Sequence, residues 1–330
     1  MTHKKILILR FSSIGDIVLT TPVVRCLKTQ FENVEIHYAT KKQYQSILSA
    51  NPHIDKIHVL ENSLNDLISK LRKEKFDFII DLHHNIRTVK IKWALCVKNR
   101  SFNKLNIEKW LIVNFKINRL PALHIVDRYL ATATPLGIIN DGAGLDYFIP
   151  EKDNVEITSL PLQFQKGYVC VVIGAMHFTK KLPVEKLIEL CNKISQPVIL
   201  IGGKEDYNTG ELIAQTDRHK IFNSCGKYSI NQSASIIQQA QKVFTHDTGM
   251  MHIAAAFQKD IISIWGNTIP EFGMYPYFGR ETNLALQKQN NKILEVEKLY
   301  CRPCSKIGYG KCPEGHFKCM RQINFDSLEL

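Results

Sequence analysis

The sequence predicts an α/β protein of two facing, doubly wound domains, each around a mainly parallel sheet. Three observations carry this. Short β-rich apolar runs alternate with helical stretches over residues 6–82, the spacing of βαβ units. The alternation restarts over 168–265 after a polar stretch containing several glycines. A length of 330 residues suits two domains.

Taken in order, residues 6–9 read as the first strand, and Ser12-Ser13-Ile14-Gly15-Asp16 turns it into a helix over 17–29. Strands at 34–39, 57–60 and 78–82 follow, with helices at 42–49 and 64–73 between them. After Pro135 the pattern loosens, and Asn140-Asp141-Gly142-Ala143-Gly144 with the polar stretch to Gly167 reads as a connection. The expected domains are therefore 1–150 and 151–330. In the second, strands are expected at 168–173, 198–201, 220–222, 242–245 and 260–265, with helices at 183–194, 206–216, 231–241 and 249–257. Two such domains put strand ends and helix N-termini on both walls of a cleft.

Hydrophobic residues at 45% and charged residues at 22% describe an ordinary globular chain, and no run of 18 apolar residues offers a membrane span. The first 22 residues are broken by Arg10, Ser12, Ser13 and Asp16, so they do not read as an export signal, and a cytoplasmic location is expected. A net charge of +12 points to anionic partners. Residues 86–119 hold nine basic side chains and one acid, Glu108, with Trp93, Phe102, Trp110 and Phe115 among them. That mixture suits an anionic membrane surface or single-stranded nucleic acid, with a solvated pair of basic helices as the blander alternative. Of nine cysteines, Cys26, Cys96, Cys170, Cys191 and Cys225 are scattered like core filler. Cys301, Cys304, Cys312 and Cys319, with His316, have zinc-type ligand chemistry; a reduced, compact cap on the second domain is the plainer reading.

The most informative stretch is Phe244-Thr-His-Asp-Thr-Gly-Met-Met-His252. A strand ends, Asp247-Thr248-Gly249 turns the chain, and a helix begins. The turn delivers unpaired N–H groups and the positive end of a helix dipole to a sheet's carboxyl edge, where phosphates bind. His252 lies one turn after Thr248 on the same face. An ordinary N-cap with a satisfied histidine fits the same residues. The first strand-to-helix turn is neither G-x-G-x-x-G nor a P-loop. It places Asp16 at the other sheet's carboxyl edge, either as a dipole-stabilising acid or as a general base. Thr179-Lys180-Lys181-Leu182-Pro183 and Gly202-Gly203-Lys204-Glu205-Asp206 follow two more strands, where lysine could reach a phosphate and Glu205 a ribose.

These residues resemble the ADP-heptose:lipopolysaccharide heptosyltransferases, glycosyltransferase family 9. The likeness rests on Ser13-Ile14-Gly15-Asp16 with Thr21-Pro22 and Leu27-Lys28, on Lys180-x-x-Pro183, on Gly202-Gly203-Lys204-Glu205, and on Asp247-Thr248-Gly249-x-x-His252. Residues 261–266 followed by Asn267-Thr268-x-Pro270 match the next element, and the spacing agrees over roughly residues 4 to 280. The resemblance implies a GT-B fold and inverting transfer of a heptose from ADP-heptose to a lipopolysaccharide core or lipid A acceptor. Asp16 matches the catalytic base. Lys180, Glu205, Asp247, Thr248, Gly249 and His252 match the donor site. Gly15 and the segment Asp81-Leu82-His83-His84-Asn85-Ile86-Arg87 put Gly15, His83, Asn85 and Arg87 on the acceptor side, with His83 and His84 standing where the family usually has Gln and Gly. Many members carry a similar Cys-rich tail, which keeps a structural zinc on Cys301, Cys304, Cys312 and Cys319 in view. No Asp-x-Asp pair ends a matching strand, so no cofactor is expected for catalysis.

The implied partners are an ADP-sugar, a phosphorylated glycolipid and the anionic inner face of the inner membrane, with no nucleic acid. Another GT-B transferase or a sugar-nucleotide epimerase fits the same loops. A nucleic-acid-binding protein fits the charge but explains neither Asp16 nor the Asp-Thr-Gly turn.

Overall fold

A computed structural model describes residues 3–279, 290–326 and 328. The first half contains a five-stranded parallel sheet, and the second a six-stranded one. In the first, β1 (Lys4–Leu9) lies between β2 (Val34–Lys41) and β4 (Phe78–Asp81), with β3 (Lys56–Leu60) and β5 (Asn99–Ser101) at the edges. In the second, the order is β11-β10-β9-β6-β7-β8, formed by β6 (Val169–Val172), β7 (Val198–Ile201), β8 (Ile221–Asn223), β9 (Lys242–His246), β10 (Asp260–Trp265) and β11 (Asn291–Glu295). The all-parallel pairing explains the continuous apolar runs, since such strands are covered on both faces. β11 escapes the sequence reading because Asn-Lys-Ile-Leu-Glu carries only two apolar residues, and an edge strand needs no more.

The helix expected over 17–29 is in fact two. α1 (Ile14–Val18) stops, and α2 (Thr21–Gln30) begins with Pro22 in its first turn. Proline has no N–H and its ring collides with the carbonyl four residues back. The carbonyl so released, Val18 O, is taken by Thr21 Oγ1 at 2.8 Å, and Thr20 Oγ1 adds a bond to Ile17 O at 2.7 Å. α1 therefore remains one short turn aimed at the cleft. The stretch 42–49 is likewise a 3-10 turn (Lys42–Tyr44) followed by α3 (Gln45–Leu48).

A single buried apolar cluster runs through both halves, from Ile8, Ile17 and Val18 to Met251, Ile253 and Trp265. At roughly 1.5–3 kcal/mol for each large apolar side chain taken from water, this shared core holds the halves together. The connection after residue 130 is also tied down. Arg25 on α2 donates to Asp141 at 2.7 and 2.9 Å and to Gly144 O at 2.9 Å, and it pairs with Asp146. Among the described residues no helix is long and apolar enough to cross a membrane.

Candidate active site

The site lies where two strand-to-helix turns meet. α1 follows β1, and α11 (Gly249–Ala256) follows β9. They touch through glycines: a Cβ on Gly15 would stand 2.6 Å from His252 Cδ2 and 3.2 Å from Gly249 Cα, and one on Gly249 would stand 2.7 Å from Ile14 Cγ2. Gly15, expected on the acceptor side, is a contact that lets the two turns close on each other.

Asp16 is held from two sides. Arg10 Nη2 reaches its Oδ1 at 2.7 Å, while Ser13 donates to Oδ2 through its backbone N–H at 3.1 Å and its hydroxyl at 2.8 Å. Burial alone would raise the carboxyl pKa, but Arg10, the Ser13 bonds and nearby His252 outweigh it and hold Asp16 below the ordinary value. Arg10 is itself buried at the end of β1, donating to Ser12 O at 2.6 Å, Tyr129 OH at 2.9 Å and Leu82 O. The sequence reading missed it. The available signal was a cation directly after an apolar strand, where burial obliges it to find a carboxylate.

Opposite, Thr248 precedes α11 without a side-chain cap, leaving the first-turn N–H groups with no side-chain acceptor. Thr248 Oγ1 sits 3.4 Å from Thr245 Oγ1. Lys180 Nζ contacts Asp247 Oδ2 at 2.5 Å, and Thr268 Oγ1 donates to the same oxygen at 2.8 Å. His252 is buried and neutral, its pKa pushed down to about 4 by burial against the opposing pull of Asp247 and Asp16. Its Nδ1 has no partner. His252 is the electrostatic neighbour of Asp16, Asp247 and Lys180, so residues from both halves converge on it.

Adjacent residues divide the labour. Lys181 Nζ pairs with buried Asp206 at 2.7 Å, and Asp206 also accepts from Gly203 N at 3.0 Å, so this pair braces the loops after β6 and β7. Glu205 stays exposed on the same loop. His83, expected on the acceptor side, is half-buried, edge-on to Phe11 at 5.7 Å, with Nδ1 unpartnered and its pKa lowered to about 4 by burial, Arg10 and Lys104. Buried Asp81 shapes its turn, accepting from His83 N at 3.1 Å and His84 N at 2.7 Å. Asn85, expected on the acceptor side, has its Oδ1 accepting from Arg87 N at 3.0 Å and Thr88 N at 3.1 Å, which makes it the N-cap of α5 (Ile86–Leu95). Arg87 extends from that helix into solvent.

The Cys tail does more than cap the second half. Lys116, just after α6 (Asn106–Phe115), donates to Pro303 O at 2.8 Å, and Arg302 donates to Gly266 O at 2.6 Å and Thr268 O at 2.9 Å. Burial and neighbouring Cys301 and Cys312 push the Cys304 thiol up to about 11. The thiols are neighbours, and Cys301 Sγ lies 3.8 Å from His316 Nε2, yet no three of these ligand atoms come within 4.8 Å of one another. Among the described residues the one group of three metal-type ligands within 4.8 Å is His37, His58 and Glu74, whose carboxylate is already paired with Lys56 at 2.5 Å. The structure therefore lends the tail zinc no support.

A clamped carboxylate on one parallel-sheet domain, facing an uncapped helix N-terminus and a lysine on the other, defines a glycosyltransferase of the GT-B type. The chain belongs to glycosyltransferase family 9 (heptosyltransferase), whose sequence model matches residues 64–302. It is 25% identical over 288 residues to lipopolysaccharide heptosyltransferase 1 of Campylobacter coli, covering 80% of this chain and 84% of the relative. It is 24% identical over 293 residues to lipooligosaccharide heptosyltransferase 2 of Haemophilus influenzae, covering 81% and 84%. The fold matches a family 9 glycosyltransferase from Veillonella parvula with TM-score 0.72 at 22% identity, covering 91% and 89% of the two chains. It also matches E. coli ADP-heptose heptosyltransferase II with TM-score 0.68 at 17% identity, covering 96% and 98%.

Proposed function

We propose that the protein transfers a heptose from ADP-heptose to a sugar hydroxyl of a phosphorylated lipopolysaccharide core or lipid A acceptor, with inversion at the anomeric carbon. The observation that carries this is the contact of the Asp16 turn with the α11 N-terminus across Gly15 and Gly249. In this reading Asp16 is the base and the α11 N-terminus the diphosphate cradle, on opposite sides of the reacting carbon. In the step, the acceptor oxygen bonds to the anomeric carbon as the bond to the ADP phosphate oxygen breaks. The acceptor proton goes to Asp16, which Arg10 and Ser13 keep ionised and oriented. The charge developing on ADP meets the α11 N–H groups and Lys180, which leaves Asp247 for the phosphate. Glu205 accepts from the ribose hydroxyls. Relatives named as lipopolysaccharide heptosyltransferases, and a solved relative holding ADP, support donor and acceptor class.

Docking at the cytoplasmic face of an anionic membrane belongs to the same reading. α5 and α6 expose Ile86, Trp93, Ile107, Trp110 and Phe115, with Trp93 86% accessible, beside exposed Lys90 and Lys98. A tail zinc enters only as a staple, and mass-spectrometric metal analysis of the purified protein decides it.

The test is transfer from ADP-heptose by Asp16→Asn, with ADP affinity measured alongside. Turnover should vanish while ADP still binds. Turnover within tenfold of wild type would remove Asp16 as the base.

A further inference from the structure

We propose that Lys104, Lys109, Arg128 and Lys306 form a binding site for a phosphate group carried by the acceptor, completed by the tail of the second half. The proposal rests on the transferase reading and adds what the acceptor presents and where. Arg128, on α7 (Ile125–Leu130), is 8% exposed. Its Nη1 donates to Asn103 O at 3.3 Å and its Nη2 to Phe272 O at 3.2 Å, while its Nε has no partner. Lys109 Nζ lies 5.6 Å from the centre of the Phe272 ring, so both cations meet at one residue. Lys306, from the tail, reaches Asn106 Oδ1 at 3.5 Å. Asn106 and Lys109 are three residues apart on α6 and share a face. Lys104 lies two residues before that helix.

Four cations are thus gathered with little to neutralise them. The acids facing them are Asp16, Asp81 and Glu108. Asp16 is taken by Arg10 at 2.7 Å and Asp81 by Lys92 at 2.9 Å. Glu108 faces Arg128 without a direct ion pair. Burial and then Arg128 push the Lys109 pKa down to about 8, and burial, Arg10 and Lys306 lower that of Lys104. Partly buried like charges without a counter-ion are unfavourable. A phosphate supplies the missing charge and several oxygens for charge-assisted hydrogen bonds. Because Lys306 arrives from the other half, the site also links acceptor binding to a closed cleft.

The probe is inorganic phosphate, titrated into protein saturated with ADP so that the donor loops are filled. Phosphate should raise the melting temperature of wild type. Lys109→Met removes like-charge repulsion, so it should melt higher than wild type without phosphate and lose most of the phosphate response. Lys306→Ala, at an exposed position, should weaken phosphate binding tenfold or more. Against a phosphorylated acceptor, Lys306→Ala should raise KM by a similar factor; with the dephosphorylated acceptor the two proteins should behave alike. An identical phosphate response in wild type and both variants overturns the site. Equal sensitivity of the two acceptors to Lys306→Ala overturns its assignment to the acceptor. Wild type that transfers no sugar would count against the transferase reading alone, because the phosphate titration reads the site without turnover.

Discussion

The turns after β1 and after β9 are built alike and charged oppositely. Each is a loop of small and acidic residues between a buried parallel strand and a helix that starts at the cleft. After β1 the helix is only five residues long, and its first-turn carboxylate is fastened by a guanidinium from its own strand. After β9 the helix has eight residues and no side-chain cap, and its acid is drawn back onto Lys180 and Thr268. One turn therefore presents a fixed negative charge and the other a row of N–H donors. The same local topology presents a fixed carboxylate or free N–H donors according to which tertiary cation reaches the acid and from which side.

Several changes would break or sharpen that contrast. The largest effect is expected from Gly15→Ala. The new Cβ would press on His252 at 2.6 Å and force the turns apart. A displacement near 1 Å costs on the order of 10²-fold in rate. ADP affinity should fall less than kcat, since the new Cβ meets the donor-side turn at His252 and Gly249 but leaves Lys180 in place. A kcat within threefold of wild type would show that the turns need not touch.

Lys180→Ala should weaken ADP by roughly ten- to a hundredfold, the value of a hydrogen bond to a charged group at about 1.5–3 kcal/mol. Calorimetry showing unchanged ADP affinity would leave the α11 N–H groups as the whole cradle. Lys181→Ala makes the contrast sharper: it should lower the melting temperature by exposing Asp206, with a smaller effect on ADP.

Arg10→Met concerns the other turn. Asp16 acts as a base only when ionised, and Arg10 is the main attraction holding its pKa down against burial. With Arg10 gone the pKa rises, so the acidic limb of kcat/KM against pH should move to higher pH. An unmoved limb would assign that limb to another group.

The smallest effect is expected from Asn85→Ala, which removes an N-cap worth about 1 kcal/mol. Urea denaturation should register that loss while the acceptor KM is unchanged. A KM raised fivefold or more would return Asn85 to the acceptor side.

Legibility in the sequence followed locality. Strand and turn positions were readable because apolar runs, glycines and Asp-Thr-Gly act over a few residues. The helix over 17–29 was misread where Pro22 outweighs the helical composition around it. Lys180 and Lys181 are equivalent in composition and spacing, as are Glu205 and Asp206. The resemblance singles out Lys180 and Glu205, and only the packing of the loops after β6 and β7 shows that Lys181 and Asp206 brace each other. Asn85 is put on the acceptor side by the resemblance of the segment 81–87 to the family, and its capping bonds appear only once α5 is in place.

The sequence by itself determined the alternation of strands and helices, the two glycine-bearing turns, and the chemical types available at each: a carboxylate in one, backbone donors with a histidine in the other. These follow from short-range physics, since hydrophobic period, turn geometry and dipole direction are set within a dozen residues. Tertiary structure alone decided that Arg10 clamps Asp16, that Gly15 and Gly249 bring the turns together, and that the tail reaches across to set Lys306 beside α6. Those pairings join residues far apart in the chain, and electrostatic and packing energies depend on distance in space, which no local pattern encodes.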